Sequence, residues 1–304
     1  MVAWLFRAWD HDLAWSFRRS PVTIVAAALT FVCVGAALAA PWIAPHDPFD
    51  LARLSLNDAF APPAWAEGGH AKYLLGTDDQ GRDVLSTILY GARISIGVSI
   101  ASVLFAALLG VSLGLASGYL GGRLDAFLMR VADVQLSFPA ILIALLIDGI
   151  ARAVLPQETH DSAAIPVLIV AIGLSGWVQY ARTVRGSTLV EKNKEYVQAA
   201  RVIGRHPLAI MLWHVLPNVT GPILVIGTIH IATAIITEAT LSFLGVGVPP
   251  TEPSLGTLIR IGNDFLFSGE WWISVFPGVS LVVLVLSVNL LGDWLRDALN
   301  PKLR

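Results

Sequence analysis

Long charge-free runs alternate with short polar stretches along this chain. A helix crossing the hydrocarbon core of a bilayer, roughly 30 Å thick, needs about 20 mostly apolar residues. Runs without Asp, Glu, Lys or Arg cover residues 22–42, 94–122, 162–181, 210–237 and 271–292, and each predicts one membrane-crossing helix. A sixth run, 134–147, is too short alone. It reaches spanning length only by taking in Val131 and Ala132 on one side, or by running through Asp148 to Leu155 on the other. It is predicted as a helix with polar edges. Backbone amides in lipid must be satisfied within their own segment, so these runs are expected as helices and not strands. The first run ends on Trp42 with Pro45 soon after, rather than at a small-residue cleavage site, so it reads as a retained span and not as a removed signal peptide.

Composition agrees with the pattern. Of 304 residues, 55% are hydrophobic and only 14% charged, with a mean hydropathy of +0.69. A soluble domain carries roughly 25% charged residues. The polar surface is too small for a water-exposed body of this size, which excludes a soluble enzyme and a disordered chain. The net charge of −2 offers no basic excess for phosphates, which excludes a nucleic-acid binder. The single cysteine, Cys33, makes neither an internal disulfide nor a multi-cysteine metal site. The seven histidines include no pair at i, i+4 and no His-Glu-x-x-His, so no metal site is expected. His206 and His214 read as capping or packing residues. What remains is an all-α polytopic membrane protein.

Six spans place both termini on one side. With the termini cytoplasmic, the inner segments hold 14 of the 20 Lys and Arg and the outer ones six, the bias that the positive-inside rule demands. The expected organisation is an inner N-terminal segment (1–21), a first span (22–42), an external segment (43–93), a core of five spans (94–292) and an inner tail (293–304). The external segment is Pro-rich and acidic, with seven Asp or Glu against four Lys or Arg. An inner segment, 182–213, is basic and reads as helical. Rigidly held loops carry function, so these two are where chemistry is sought.

Within the inner segment, Glu195 to Gly204 reads as a short helix. Tyr196, Ala199, Ala200 and Ile203 fall at i, i+3, i+4 and i+7, one apolar stripe. Gly204 stands where a left-handed cap ends a helix, and Pro207 suits the first turn of the next. Helix, glycine turn and second helix make a unit suited to docking in a groove. The same spacing also describes an amphipathic helix on lipid headgroups.

Gln198-Ala199-Ala200, Gly204, and His214-Val215-Leu216-Pro217 resemble the E-A-A-x3-G-x9-I-x-L-P loop of permease subunits of bacterial ABC importers, with Gln198 for Glu and His214 for Ile. Leu75 to Ser86, Tyr90 to Ser95, Leu241 to Val248 and Asn289 to Asp297 are similar to stretches of the C-type permease of dipeptide, oligopeptide and nickel importers. The resemblance runs from about residue 20 to the end. It implies a type I ABC importer transmembrane domain of six helices in the bacterial inner membrane, forming half of a path for di- or oligopeptides. The implied partners are a homologous second permease, two cytoplasmic ATPase subunits and an external solute-binding protein. The helix with Glu195, Tyr196, Gln198, Ala199, Ala200, Ile203 and Gly204, followed by His214, Leu216 and Pro217, is implied to couple to the ATPase. Nickel, glutathione-like and antimicrobial-peptide importers share this architecture.

The chain itself offers no ATP site. A P-loop needs a lysine preceded by glycine, and Lys72, Lys192, Lys194 and Lys302 follow Ala, Glu, Asn and Pro. No bound cofactor is expected; ATP and magnesium belong to the partner ATPase subunits. This and the docking loop weigh against an ion-coupled secondary transporter. Gly110-Val111-Ser112-Leu113-Gly114 matches G-x-S-x-G, and with His230 suggests an intramembrane serine protease. That motif needs a strand–turn–helix setting, whereas this one lies mid-span. Gly110, Gly114 and Gly118 are instead expected as a small-residue ladder for close helix packing. Four charged residues stand near membrane depth or beside it. Glu238 is either a pathway or partner-contact residue or a carboxylate at the outer interface. Arg82 and Asp83 either pair with each other or meet the second permease. Asp148 is expected at an interface.

Overall fold

A computed structural model describes residues 15–50 and 54–299. Among these there are no strands, only an isolated bridge between Thr77 and Asp83. Five helices are long and apolar enough to cross a membrane, or six if one bent pair counts as a span.

Helix α1, Pro21–Leu38, starts at Ser20, whose hydroxyl accepts the Thr23 N–H, with Pro21 in the first position. These are the residue types that favour a helix start. A one-turn helix, Ala40–Ile43, follows. Helix α2, Val84–Leu120, has 37 residues and begins ten residues before the charge-free run. Asp83 caps it, accepting from the Ser86 N–H at 2.9 Å and the Ser86 hydroxyl at 2.5 Å. The helix therefore takes in the last ten residues of the stretch expected as external. Gly121 and Gly122, both at positive φ, end α2 in a conformation that costs glycine little.

The sixth span departs from expectation. It is two helices, α3 (Gly122–Leu136) and α4 (Ala140–Val154), bent by 95°. Pro139 disfavours helical geometry at Phe138 and has no N–H to give, so the apolar run is broken in its middle. Helix α5, His160–Glu191, continues past Arg182, so the first third of the expected inner segment is a continuation of the same helix. Helix α6 is Glu195–Val202. Helix α7, Pro207–Phe243, contains a π-helical turn at Met211–Val215. Its cause is Pro217: in a regular α-helix the ring would clash with the Trp213 carbonyl four residues back, and widening the turn relieves this. Helix α8, Leu255–Phe265, has no counterpart in the charge-free runs; Ser254 caps it. Helix α9 is Trp272–Leu299.

The described residues fall into two compact units. One takes the chain through Ser99, Leu155–Ile165, and the chain from Ile235 onward. There α8 lies so close to α9 that a Cβ on Gly262 would overlap the Ser274 backbone. The Trp272 indole donates to the Thr77 carbonyl at 3.0 Å, and Phe17 meets Trp294 edge to face. The other unit takes Ile100–Val154 and Pro166–Ala234. In it the glycine ladder of α2 runs against α5. A Cβ on Gly110 would stand 2.6 Å from Tyr180 Cβ, one on Gly114 2.5 Å from the Ala181 carbonyl oxygen, and one on Gly118 2.7 Å from Thr188 Cβ. Only glycine allows this approach.

Candidate functional site

Eight residues are too few to hold a helix in isolation, so the position of α6 comes from what it packs on. Val197 and Ala200 are buried with Leu115 of α2, Val184 of α5, and Ile210, Val215 and Val219 of α7. Three membrane helices thus seat α6. Polar ties reinforce the seat. Lys192 donates to the Gly118 carbonyl at 2.7 Å, where α2 has unpaired carbonyls. Arg201 donates to the Tyr119 hydroxyl at 3.2 Å and lies over its ring. Arg185 forks onto the Asp125 carboxylate at 2.5 and 2.7 Å, and Ser117 donates to the same group.

The turn closes as the residue types require. Gly204 has φ 81°, and the Arg205 N–H reaches back to the Ala200 carbonyl at 3.1 Å, which is the Schellman arrangement. Pro207 then opens α7, with the His206 ring accepting from the Leu208 N–H at 3.3 Å. His214 and Leu216 lie in and just after the π turn. The His214 ring Nδ1 is buried without a partner, and its carbonyl accepts from Asn218 at 2.7 Å. Gln198 donates to the Lys192 carbonyl at 3.5 Å, and Tyr196 to the Glu191 carboxylate. Partial desolvation, followed by that carboxylate, holds the Tyr196 phenol above its ordinary pKa, so it remains a donor.

The expected stripe is divided. Ala200 is only 4% exposed and faces the chain's own core, so it does not belong to an open docking face with Tyr196, Ala199 and Ile203. Ala200 shares the side of α6 on which Val197 packs against the membrane helices. The outward side exposes large apolar side chains among charged ones. Val202 is 88% and Ile203 78% exposed, and Tyr196 and Leu208 are exposed beside them. Val202 and Leu208 were missed because they flank the turn and fall outside the heptad-like spacing.

The residues considered for a path or a partner contact are closed off. Glu238 is 0% exposed. Its Oε1 accepts from Ser242 at 2.7 Å, while Oε2, flanked by Ser95 and Ser254, makes no hydrogen bond of good geometry. Buried Arg82 pairs with Asp78 at 2.6 Å and reaches the Pro250 carbonyl. Buried Asp83 caps α2. All three are held by the chain's own groups, and Arg82 and Asp83 do not pair with each other. Asp148 is likewise buried and paired with Arg152 at 2.6 Å.

The serine motif is helical throughout. Ser112 donates to the Leu108 carbonyl one turn back, and His230 bonds the Tyr180 hydroxyl at 3.1 Å. No nucleophile–base pair forms between them, and the imidazole instead fills the space over Gly176.

Comparison with known proteins places this architecture. Residues 110–304 match the family described as "Binding-protein-dependent transport system inner membrane component". A dipeptide transport system permease protein of Haemophilus influenzae is 41% identical over 278 residues, 91% of this chain and 90% of that protein. A di/tripeptide transport system permease protein of Pseudomonas aeruginosa is 38% identical, covering 88% of this chain and 84% of that one. A dipeptide transport system permease protein of Escherichia coli K12 is 40% identical over 95% and 91%. Among solved structures, inward-facing MetNI methionine ABC transporter aligns with TM-score 0.53 at 20% identity, covering 70% of this chain and 96% of that one, which speaks for the fold. Seated short helix, glycine turn, glycine-packed spans and these relatives agree: the chain is a multi-pass inner-membrane permease component and belongs to the binding-protein-dependent transport family.

Proposed function

We propose that this chain forms half of the translocation path of an ATP-binding-cassette importer for di- and oligopeptides, and that α6 is its contact with a cytoplasmic ATPase subunit. The observation carrying the reading is the two-sided character of α6 and the turn after it: one face of α6 is locked to three membrane helices, while Tyr196 and Val202, with Ile203 of the turn and Leu208 at the start of α7, are presented to whatever lies beyond. A force applied to the exposed face passes into α2, α5 and α7 together. ATP and magnesium act on the ATPase subunits, a second permease completes the path, and a solute-binding protein delivers cargo from outside. The termini and α6 are cytoplasmic, in line with the Lys and Arg distribution. Peptide cargo is supported by the dipeptide and di/tripeptide permeases that align along nearly the whole chain.

The test is reconstitution of the five-component importer in proteoliposomes, with uptake of a labelled dipeptide followed with and without ATP. Uptake that requires ATP and both permeases is expected. Uptake driven by an ion gradient without ATPase subunits, or ATP-driven nickel uptake with no peptide uptake, would overturn the reading.

A further inference from the structure

The stretch 54–83 between α1 and α2 is fixed to the start of α9. The Trp272 indole donates to the Thr77 carbonyl at 3.0 Å. Gly76, at φ 84°, lies so close that a Cβ would stand 2.9 Å from that ring. From this base a tight turn, in which the Ala66 N–H reaches the Pro63 carbonyl at 2.8 Å, carries Trp65 onto Phe276. The two rings meet edge to face, centroids 5.9 Å apart, and Phe276 also meets Trp271 at 5.6 Å. Phe276 lies one turn inside the α9 start at Trp272, about 6 Å along the helix axis. Trp65 therefore reaches past the end of a span, toward its middle. The contact covers little of the side chain, which is 63% exposed.

Trp177, Trp272 and Trp294 donate their indole N–H to Gln135, the Thr77 carbonyl and Ser16. Those of Trp65 and Trp271 meet no acceptor among the described residues. A ring with an apolar body and an unpaired donor suits the boundary between lipid headgroups and hydrocarbon. The adjoining surface agrees. Following Trp271, the side chains of Val275, Val279, Val282 and Leu286 are all exposed along one side of α9, an uncharged stripe at helical spacing that suits acyl chains. Helix α1 runs antiparallel beside α9, with Phe17 against Trp294 at the far end, which brings exposed Trp42 to the level of Trp271. We propose that Trp65 fastens the stretch 54–83 to the bilayer. Its indole, with those of Trp42 and Trp271, lies at the headgroup boundary of the leaflet on the side where α1 ends. This edge of the stretch is a lipid-binding surface, whatever cargo the permease carries, and not a docking face for another protein.

The test places the full chain, assembled with its partner subunits, in nanodiscs of phosphatidylethanolamine and phosphatidylglycerol. With Cys33→Ser as background, a nitroxide is attached at Trp65→Cys, at Val279→Cys on the apolar stripe, or at exposed His70→Cys. Collisions with oxygen, which concentrates in hydrocarbon, are compared with collisions with a water-soluble nickel chelate. The oxygen-to-nickel ratio at position 65 should approach that at 279 and exceed that at 70, and it should not change when the solute-binding protein is added. A ratio at 65 equal to that at 70 would show the stretch standing clear of the bilayer and overturn the inference. Shielding of position 65 from both reagents, at rest or once the binding protein docks, would assign the face to a protein partner and overturn it as well. Wild type and Trp65→Phe supply a second measurement should the labelled variant not assemble. Among ten tryptophans, loss of Trp65 should lower the fluorescence quenched by lipids brominated near the headgroup and leave that quenched by aqueous iodide unchanged. The reverse result would refute lipid contact.

Discussion

Ile203→Glu and Ala200→Glu put the same charge three residues apart and should fail in different ways. Ile203 is 78% exposed in the isolated chain, so glutamate there costs its folding less than about 0.5 kcal/mol. When the ATPase covers this face, the variant forgoes about 1.5–3 kcal/mol of side-chain burial. It also brings an unpaired carboxylate into the contact. Affinity for the ATPase subunit should therefore fall by about 10- to 100-fold or more. Ala200 lies among Val197, Val184 and Val215. A carboxylate there has no partner and no water, a defect of about 3–5 kcal/mol in the permease itself. The assay pairs a melting curve of the purified permease with a titration of purified ATPase subunit. Ile203→Glu should melt like the wild type and bind poorly; Ala200→Glu should melt early. Full ATPase affinity in Ile203→Glu, or an equal drop in melting temperature for both variants, would refute the division of α6 into a seated face and a docking face.

Three further outcomes follow from the packing. Gly114→Ala sets a methyl 2.5 Å from the Ala181 carbonyl oxygen and 3.0 Å from Val184 Cβ, neither of which can swing aside, so overpacking should cost about 1–3 kcal/mol. Gly97→Ala, where a Cβ meets nothing within 4 Å, is the control that should leave the melting temperature unchanged or raise it, since alanine favours a helix over glycine. Glu238→Gln keeps an acceptor for Ser242 and offers an N–H toward Ser95 and Ser254, so stability should hold or rise and uptake persist; loss of uptake in a normally folded variant would restore a transport role to the carboxylate. At Asp58, the hydrogen bond from the Tyr73 phenol, aided by Lys72, holds the carboxyl below its ordinary pKa. A depressed folded pKa stabilises above the unfolded value and is lost as pH falls through the folded one. The melting-temperature gap between wild type and Asp58→Asn should therefore be full above about pH 4 and close below it. A gap independent of pH would exclude the carboxylate as its source.

Five spans were legible because hydrocarbon demands long apolar runs, and nothing else in the chain is long enough to imitate one. Gly204 and Pro207 marked their turn because a left-handed φ and a missing N–H are local properties. Pro139 was equally visible, yet the run around it was read as one helix, since hydropathy alone does not register a 95° bend. Helix α8 was hidden for the opposite reason: Arg260 and Asp264, on its exposed side, interrupt the apolar residues along the sequence, so it forms no charge-free run. The inward turn of Ala200 and the self-contained bonding of Glu238, Arg82 and Asp83 depend on neighbours far along the chain. Ser95 and Ser254 meet Glu238 from stretches that spacing does not connect.

The glycine ladder also limits where permeation can occur. Along Gly110, Gly114 and Gly118 the surface of α5 fills the room that a single methyl would need. A gap that admits no methyl admits no water file and no hydrated solute. The line between α2 and α5 is thus a sealed seam, as tight to ions as to peptides. Any conduit this chain helps to build must run along other faces of these helices.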